Sequence, residues 1–238
     1  MKRTSKILFG IIAGLVVVVM ALAVGARMYV GSVIGSGKDR EARMELSGTR
    51  AERSFEESEF DRIEISGAWQ MEVRRGDNYR VHVAADEALL DKVSVERRGT
   101  TLNIEAEKWG WHEDARLRAE LVMPNLSGLS ASGGVDVEIA DFVESDLKLD
   151  IAGAAHVEGH DNRIDRLVII AEGASDIDFT SSKVVNADVR MDGAGNVDLT
   201  MDGGELVGRI GGVGSVTYAG EVSNESVRFD GLGSVERR

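Results

Sequence analysis

Apolar and polar residues alternate along most of this chain beyond residue 60, and from Ser127 onward the alternation repeats on a fixed period. Glycines fall at Gly133, Gly153, Gly173, Gly193, Gly212 and Gly231, at intervals of 20, 20, 20, 19 and 19 residues. Four residues after each stand Val137, Val157, Ile177, Val197, Val216 and Val235, all β-branched. Two before stand Ala131, Ile151, Ala171, Met191, Ile210 and Phe229. Period-two alternation marks half-buried strands, and glycine supplies the left-handed backbone or the room that a bend needs. One such unit cannot bury its own apolar face. Stacked units pair strand on strand at about 4.8 Å and share a core. The pattern predicts an all-β chain folded as a parallel β-helix, a solenoid with coils of about 20 residues. Its hand is expected to be right, as in parallel crossovers generally. An antiparallel barrel is the alternative, but its hairpin signals would recur every 8–12 residues.

The segments before the array are less regular. Ile63, Ile65, Gly67, Met71 and Val73 repeat the offsets of the later units, so "ISGAWQMEV" reads as an early coil. The 66 residues from Gly67 to Gly133 leave room for three longer coils. "YRVHVAA" and "VSVERRGTTLNIEAE" read as strands within them. Asp86–Val93 reads as one or two helical turns covering one end. Pro124, the only proline, belongs at an edge or corner because it cannot donate to a ladder.

The N-terminus differs in kind. Lys2, Arg3 and Lys6 precede an uncharged, apolar run from Ile7 to Ala26. That length spans a bilayer as one helix, and the basic cluster keeps the N-terminus cytoplasmic. Cleavage as a signal peptide at Ala21–Ala23 is the competing reading; the retained anchor is preferred. The chain thus divides into a basic tip and transmembrane helix (1–30), a juxtamembrane linker (31–58) and an extracytoplasmic β-helix (59–238). "GSVIGSGKD" within the linker lacks the first glycine and the final Ser/Thr of a phosphate-binding loop.

Taken in order, "FDRIEISGAWQMEVRRGDNYRVHVAADEALLDKVSVERRGTTLNIEAE", then "VMPNLSGLSASGGVDV", then the Gly-cornered units, the chain resembles the GIN domain family, the putative autotransporter adhesin head domain. The resemblance covers roughly residues 60–236. It implies a bacterial β-helical domain displayed beyond the cytoplasmic membrane. The family supplies no catalytic residues to carry over.

Composition narrows the function classes. The net charge is −13 and the pI is near 4.8, which argues against nucleic acid and anionic lipid headgroups as partners of the domain. There is no cysteine, hence no disulfide framework or thiol nucleophile. Five residues after the glycines comes an acidic column: Glu72, Glu138, Glu158, Asp178, Asp198 and Glu236, with Thr217 interrupting. It reads as a solvated face, with Arg190, Arg209 and Arg228 in a column of their own to offset it. Glu138, Glu158, Asp178 and Asp198 are weak candidates for a cation site, because Ca²⁺ takes six to eight oxygens and each coil supplies one carboxylate. His156 and His160 have the spacing of a zinc half-site on a helix but lie in strand and corner. Trp109 and Trp111 form a candidate binding loop, since tryptophan anchors glycan and protein contacts.

No cofactor is called for, and no enzyme motif is present. The expected function is adhesion or scaffolding at the cell envelope, with the membrane as one partner and an envelope protein or glycan as another. A polysaccharide-active enzyme and a sensory envelope module are the rivals. At the C-terminal coil, Arg237 and Arg238 are expected to discourage edge pairing. A monomer is favoured over an end-to-end oligomer.

Overall fold

The computed structural model describes residues 48–106 and 117–238. The apolar run Ile7–Ala26 lies outside them, as do Trp109 and Trp111. Among the described residues, no helix is long and apolar enough to cross a membrane.

The described chain is all-β apart from one helical turn. In order it forms β1 (Arg50–Phe55), β2 (Arg62–Arg75), β3 (Arg80–Asp86), α1 (Glu87–Leu90), β4 (Val93–Arg98), β5 (Thr101–Ala106), β6 (Leu117–Met123), β7 (Gly128–Ala140), β8 (Val143–Asp202), β9 (Glu205–Glu221), β10 (Asn224–Phe229) and β11 (Leu232–Arg237). The Gly-cornered units pair in parallel and in the register that the period predicts. Gly133 stands opposite Gly153, and Val137 opposite Val157. Gly193 stands opposite Gly212, and Val197 opposite Val216. Leu232–Arg237 continues the same register against Val213–Tyr218.

The glycine column follows from close packing. At Gly153, φ is +123°, and a Cβ there would come within 2.4 Å of the Gly133 carbonyl oxygen. Gly173 repeats this, with φ +116° and 2.3 Å to the Gly153 oxygen. Neither the left-handed backbone nor the approach admits a side chain. Inside, the columns are dry: Val137, Val157, Ile177, Val197 and Val216 are fully buried, as are Leu149, Ile169 and Val189. Size is balanced between neighbouring units. The buried ring of Phe179 occupies the space over Gly159, where a Cβ would sit 2.4 Å from it.

Among the described residues the buried polar side chains are Asn103, Asn162, Ser175 and Ser182, and two of them meet at one corner. Asn162, nearly buried, accepts from the Phe142 N–H (2.9 Å) and donates to the Ile139 carbonyl (2.8 Å) and to Ser182 Oγ (3.0 Å). Ser182 Oγ also accepts from the Asn162 N–H at 3.2 Å. The preceding residues Asp141 and Asp161 turn with φ of +68° and +54°. This network satisfies backbone groups that the bend takes out of the ladder.

The segment between Gly67 and Gly133 does not form three further coils. Gly67 pairs directly with Gly133 across β2 and β7. The intervening chain lies on the other flank of β2, where β5 pairs with Arg62–Ser66 and β6 with Trp69–Arg75, both parallel. β4 then adds antiparallel to β5, β3 to β6, and β1 to β3. β1 lies within the stretch read as linker, so the folded body begins before residue 59. α1 is a single turn. Asp86 caps it by accepting from the Ala88 N–H, and Leu89 and Leu90 are buried in the core. Pro124 follows the end of β6, at a corner.

Candidate interaction faces

The residues after each glycine corner present one outer face. Its acidic column is in register as expected: Glu72 opposite Glu138, Glu138 opposite Glu158, and Asp198 opposite Thr217. Carboxylates one strand spacing apart repel by about 1 kcal/mol in water. Arg190, Arg209 and Arg228 do not offset them. The cations lie on the same face, two residues along the strand, on the next unit or, for Arg238, two units on. Arg74 bonds Glu72 and donates to Glu138 at 3.1 Å. Arg238 Nη2 lies 3.2 Å from Asp198 Oδ1, an ion pair without hydrogen-bond alignment.

The centre of this face is a histidine–carboxylate cluster. His156 and His160 extend from one strand toward the carboxylate between them, with His156 Nε2 at 3.0 Å and His160 Nε2 at 3.3 Å from Glu158. His156 stands opposite Asp136 on one neighbouring unit, and its Nδ1 is 3.5 Å from Asp176 on the other. Burial alone would lower the His156 pKa. The Glu158 hydrogen bond and the fields of Glu158, Asp176 and Asp136 outweigh it and hold the pKa above the ordinary histidine value. Hydrogen bonding from His156, then from His160, holds Glu158 below the ordinary carboxylate value. Among the described residues, no group of three or more His, Asp or Glu is placed to hold a metal ion. His82 is a surface imidazole between Ser54 and Glu52, each at 3.3 Å.

The residues before each corner form a second outer face. Arg190 stands opposite Arg209, and Arg209 opposite Arg228. Their carboxylate partners are their own: Asp188 accepts from Arg190 at 2.7 Å, and Asp230 accepts from the Nε–H groups of both Arg209 and Arg228. Those two bonds hold the Asp230 carboxyl below its ordinary range. The arginine column is legible in the repeat. Its partners are not, because Asp188 and Asp230 sit at different offsets from their glycines.

Both faces are strips of a regular ladder. Residues 59–199 match the family profile described as "Putative auto-transporter adhesin, head GIN domain". The chain belongs to this family. Solved structures similar to this GIN domain include a putative adhesin from Bacteroides fragilis, at 17% identity and TM-score 0.67, covering 81% of this chain and 99% of that one. A putative lipid binding protein from Parabacteroides distasonis has 18% identity and TM-score 0.45, covering 81% and 98% of the two chains. A putative adhesin from Parabacteroides merdae has 14% identity and TM-score 0.42, covering 81% and 97%. At these identities the first likeness shows the fold alone. No curated protein matches the GIN chain.

Proposed function

We propose that this GIN chain is a non-enzymatic adhesive module of the bacterial envelope, held by its N-terminal apolar helix with the domain outside the cytoplasm. The domain winds as a right-handed parallel β-helix. The single observation that carries this reading is the in-register parallel ladder, which repeats outward side chains at one strand spacing along two faces. A surface of that kind suits an extended, repetitive partner better than a small substrate, which needs a concave pocket. The family assignment supports adhesion, and the basic cluster before Ile7–Ala26 supports the orientation.

Two experiments test the proposal. The full chain, solubilised in detergent, is used to pull down material from envelope extract. Capture of an envelope glycan or protein is expected, and capture of nothing above a tag-only control would refute the adhesive reading. A C-terminal fusion to a reporter active only outside the cytoplasm is expected to be active. Activity from a cytoplasm-specific reporter instead would overturn the topology.

A further inference from the structure

β10 and β11 each pair with β9 along one edge, and no described strand pairs with the other edge. The inner columns open at this coil. Ile210 and Val216 are fully buried, whereas Val227, Phe229 and Val235 are only partly so. The outward column one residue past the glycines reaches Val213, 44% exposed, and Leu232, 71% exposed, which stand directly opposite each other. An unpaired ladder beside an open apolar core is a template for a further strand. Whatever covers the coil has to follow its bend at Gly231, where a Cβ would strike the Gly212 oxygen. A second copy of the same coil bends at the same place. Under a twofold axis at Leu232, β10 of one copy lies antiparallel on β11 of the other. Leu232 then meets its own counterpart, Gly231 meets Gly233, and Phe229 meets Val235, with inward side chains against inward side chains. Arg228 falls opposite Glu236, Asp230 opposite Ser234 and Arg237 opposite Val227, so no like charges face each other. The strand order begins at β1, where the described chain enters the fold, and runs to β10 at its opposite end.

We propose that the β10–β11 coil is a homophilic contact surface, through which copies held on facing membranes join end to end about a twofold axis at Leu232. One such contact is small, and the inward-placed charge of Arg237 limits its extent. Isolated copies therefore stay monomeric, and many copies on each membrane supply the avidity. This inference rests on the adhesive reading above and adds a contact surface distinct from the two outer faces.

The test reconstitutes the full chain into phosphatidylcholine vesicles and follows their clustering by light scattering. Wild-type vesicles are expected to cluster and protein-free vesicles to stay apart. Leu232→Lys and Leu232→Glu each set like charges against each other on the axis and should reduce clustering at least about tenfold. Mixing the two populations should restore it, because lysine then meets glutamate. Leu232 is exposed, so both variants should keep the wild-type melting temperature. Val143→Lys, at an exposed apolar residue outside this coil, should cluster like wild type. The proposal is overturned by wild-type vesicles that stay apart, by a Leu232 variant that clusters like wild type, or by a mixture no better than either population alone. Loss of clustering in Val143→Lys overturns the choice of coil. Vesicles that stay apart while the chain captures envelope material in the pull-down remove only this inference; if the pull-down is empty as well, the adhesive reading falls with it.

Discussion

The stretch from β7 onward and the stretch from β1 to β6 are built from the same kind of strand but assembled differently. In the first, each unit pairs with the units next to it in sequence, always in parallel, glycine against glycine. In the second, β2 pairs in parallel on one flank with chain far downstream, and β4, β3 and β1 add antiparallel. The same alternation therefore yields a lattice in one half and a flank of antiparallel strands in the other. What differs is whether a backbone constraint recurs. The glycine corners fix the register of the array and leave little tolerance there. Among the early strands β2 shares that corner at Gly67, and the others lack a recurring backbone constraint and tolerate more.

The sharpest break of that comparison is Ile177→Asp, which buries an unpaired charge in the innermost column and should cost on the order of 5 kcal/mol. Thermal denaturation like that of wild type would show that the column is not the core. Next is Gly173→Ala against Gly99→Ala. Both glycines have positive φ, but Gly99 has open space around its Cβ position, whereas the Gly173 Cβ would strike the Gly153 oxygen. The first substitution should cost about 3 kcal/mol or more, the second about 1 kcal/mol. Equal losses by denaturant titration would remove the argument for close coil packing.

Asn162→Ala should cost about 2 kcal/mol, since it strands the Phe142 N–H and the Ile139 carbonyl. Asn103→Ala, in the early half, loses only bonds of 3.3 and 3.4 Å and should cost less. The smallest effect concerns pH. The raised His156 pKa stabilises the fold fully below the ordinary histidine value of 6.5, and the contribution is lost as pH rises through the folded value. The lowered Glu158 pKa contributes above 4.5 and is lost as pH falls through its folded value. The cluster is thus most stabilising between pH 4.5 and 6.5. Both groups are substantially exposed, so solvent screening limits the effect to a few tenths of a kcal/mol. His156→Ala should flatten the fall in melting temperature above pH 6.5; an unchanged slope would assign that fall to other groups.

Much of the array was legible before the structure because self-similarity carries register. Once Gly133, Gly153 and Gly173 are aligned, the neighbours of Glu158 and Arg209 follow. The early half was not legible, because alternation states which side chains face inward but not the direction or sequence distance of the partner strand. β2 met Gly133–Ala140 directly where three coils were expected between them. The acidic column was readable, yet its compensation by Arg74, His156 and His160 was not. Those side chains sit two residues along the strand from carboxylates they meet, so a column-by-column reading separates them. The buried Asn162 and Ser182 share an offset nine residues past their glycines, a signal present in the alignment but carried by two units only.

The account depends most on the in-register parallel stack. A chain without native cysteine allows a clean test by introduced pairs. Glu138→Cys with Glu158→Cys places two thiols on directly opposed residues of adjacent strands, about 4.8 Å apart at Cα and within disulfide reach. Glu138→Cys with His160→Cys shifts one partner by two residues and takes it beyond that reach. Under mild oxidation the first pair should cross-link quickly and completely, and the second only slowly. Equal rates for the two pairs, or faster cross-linking of the shifted pair, would contradict the stack and the rows of side chains built on it.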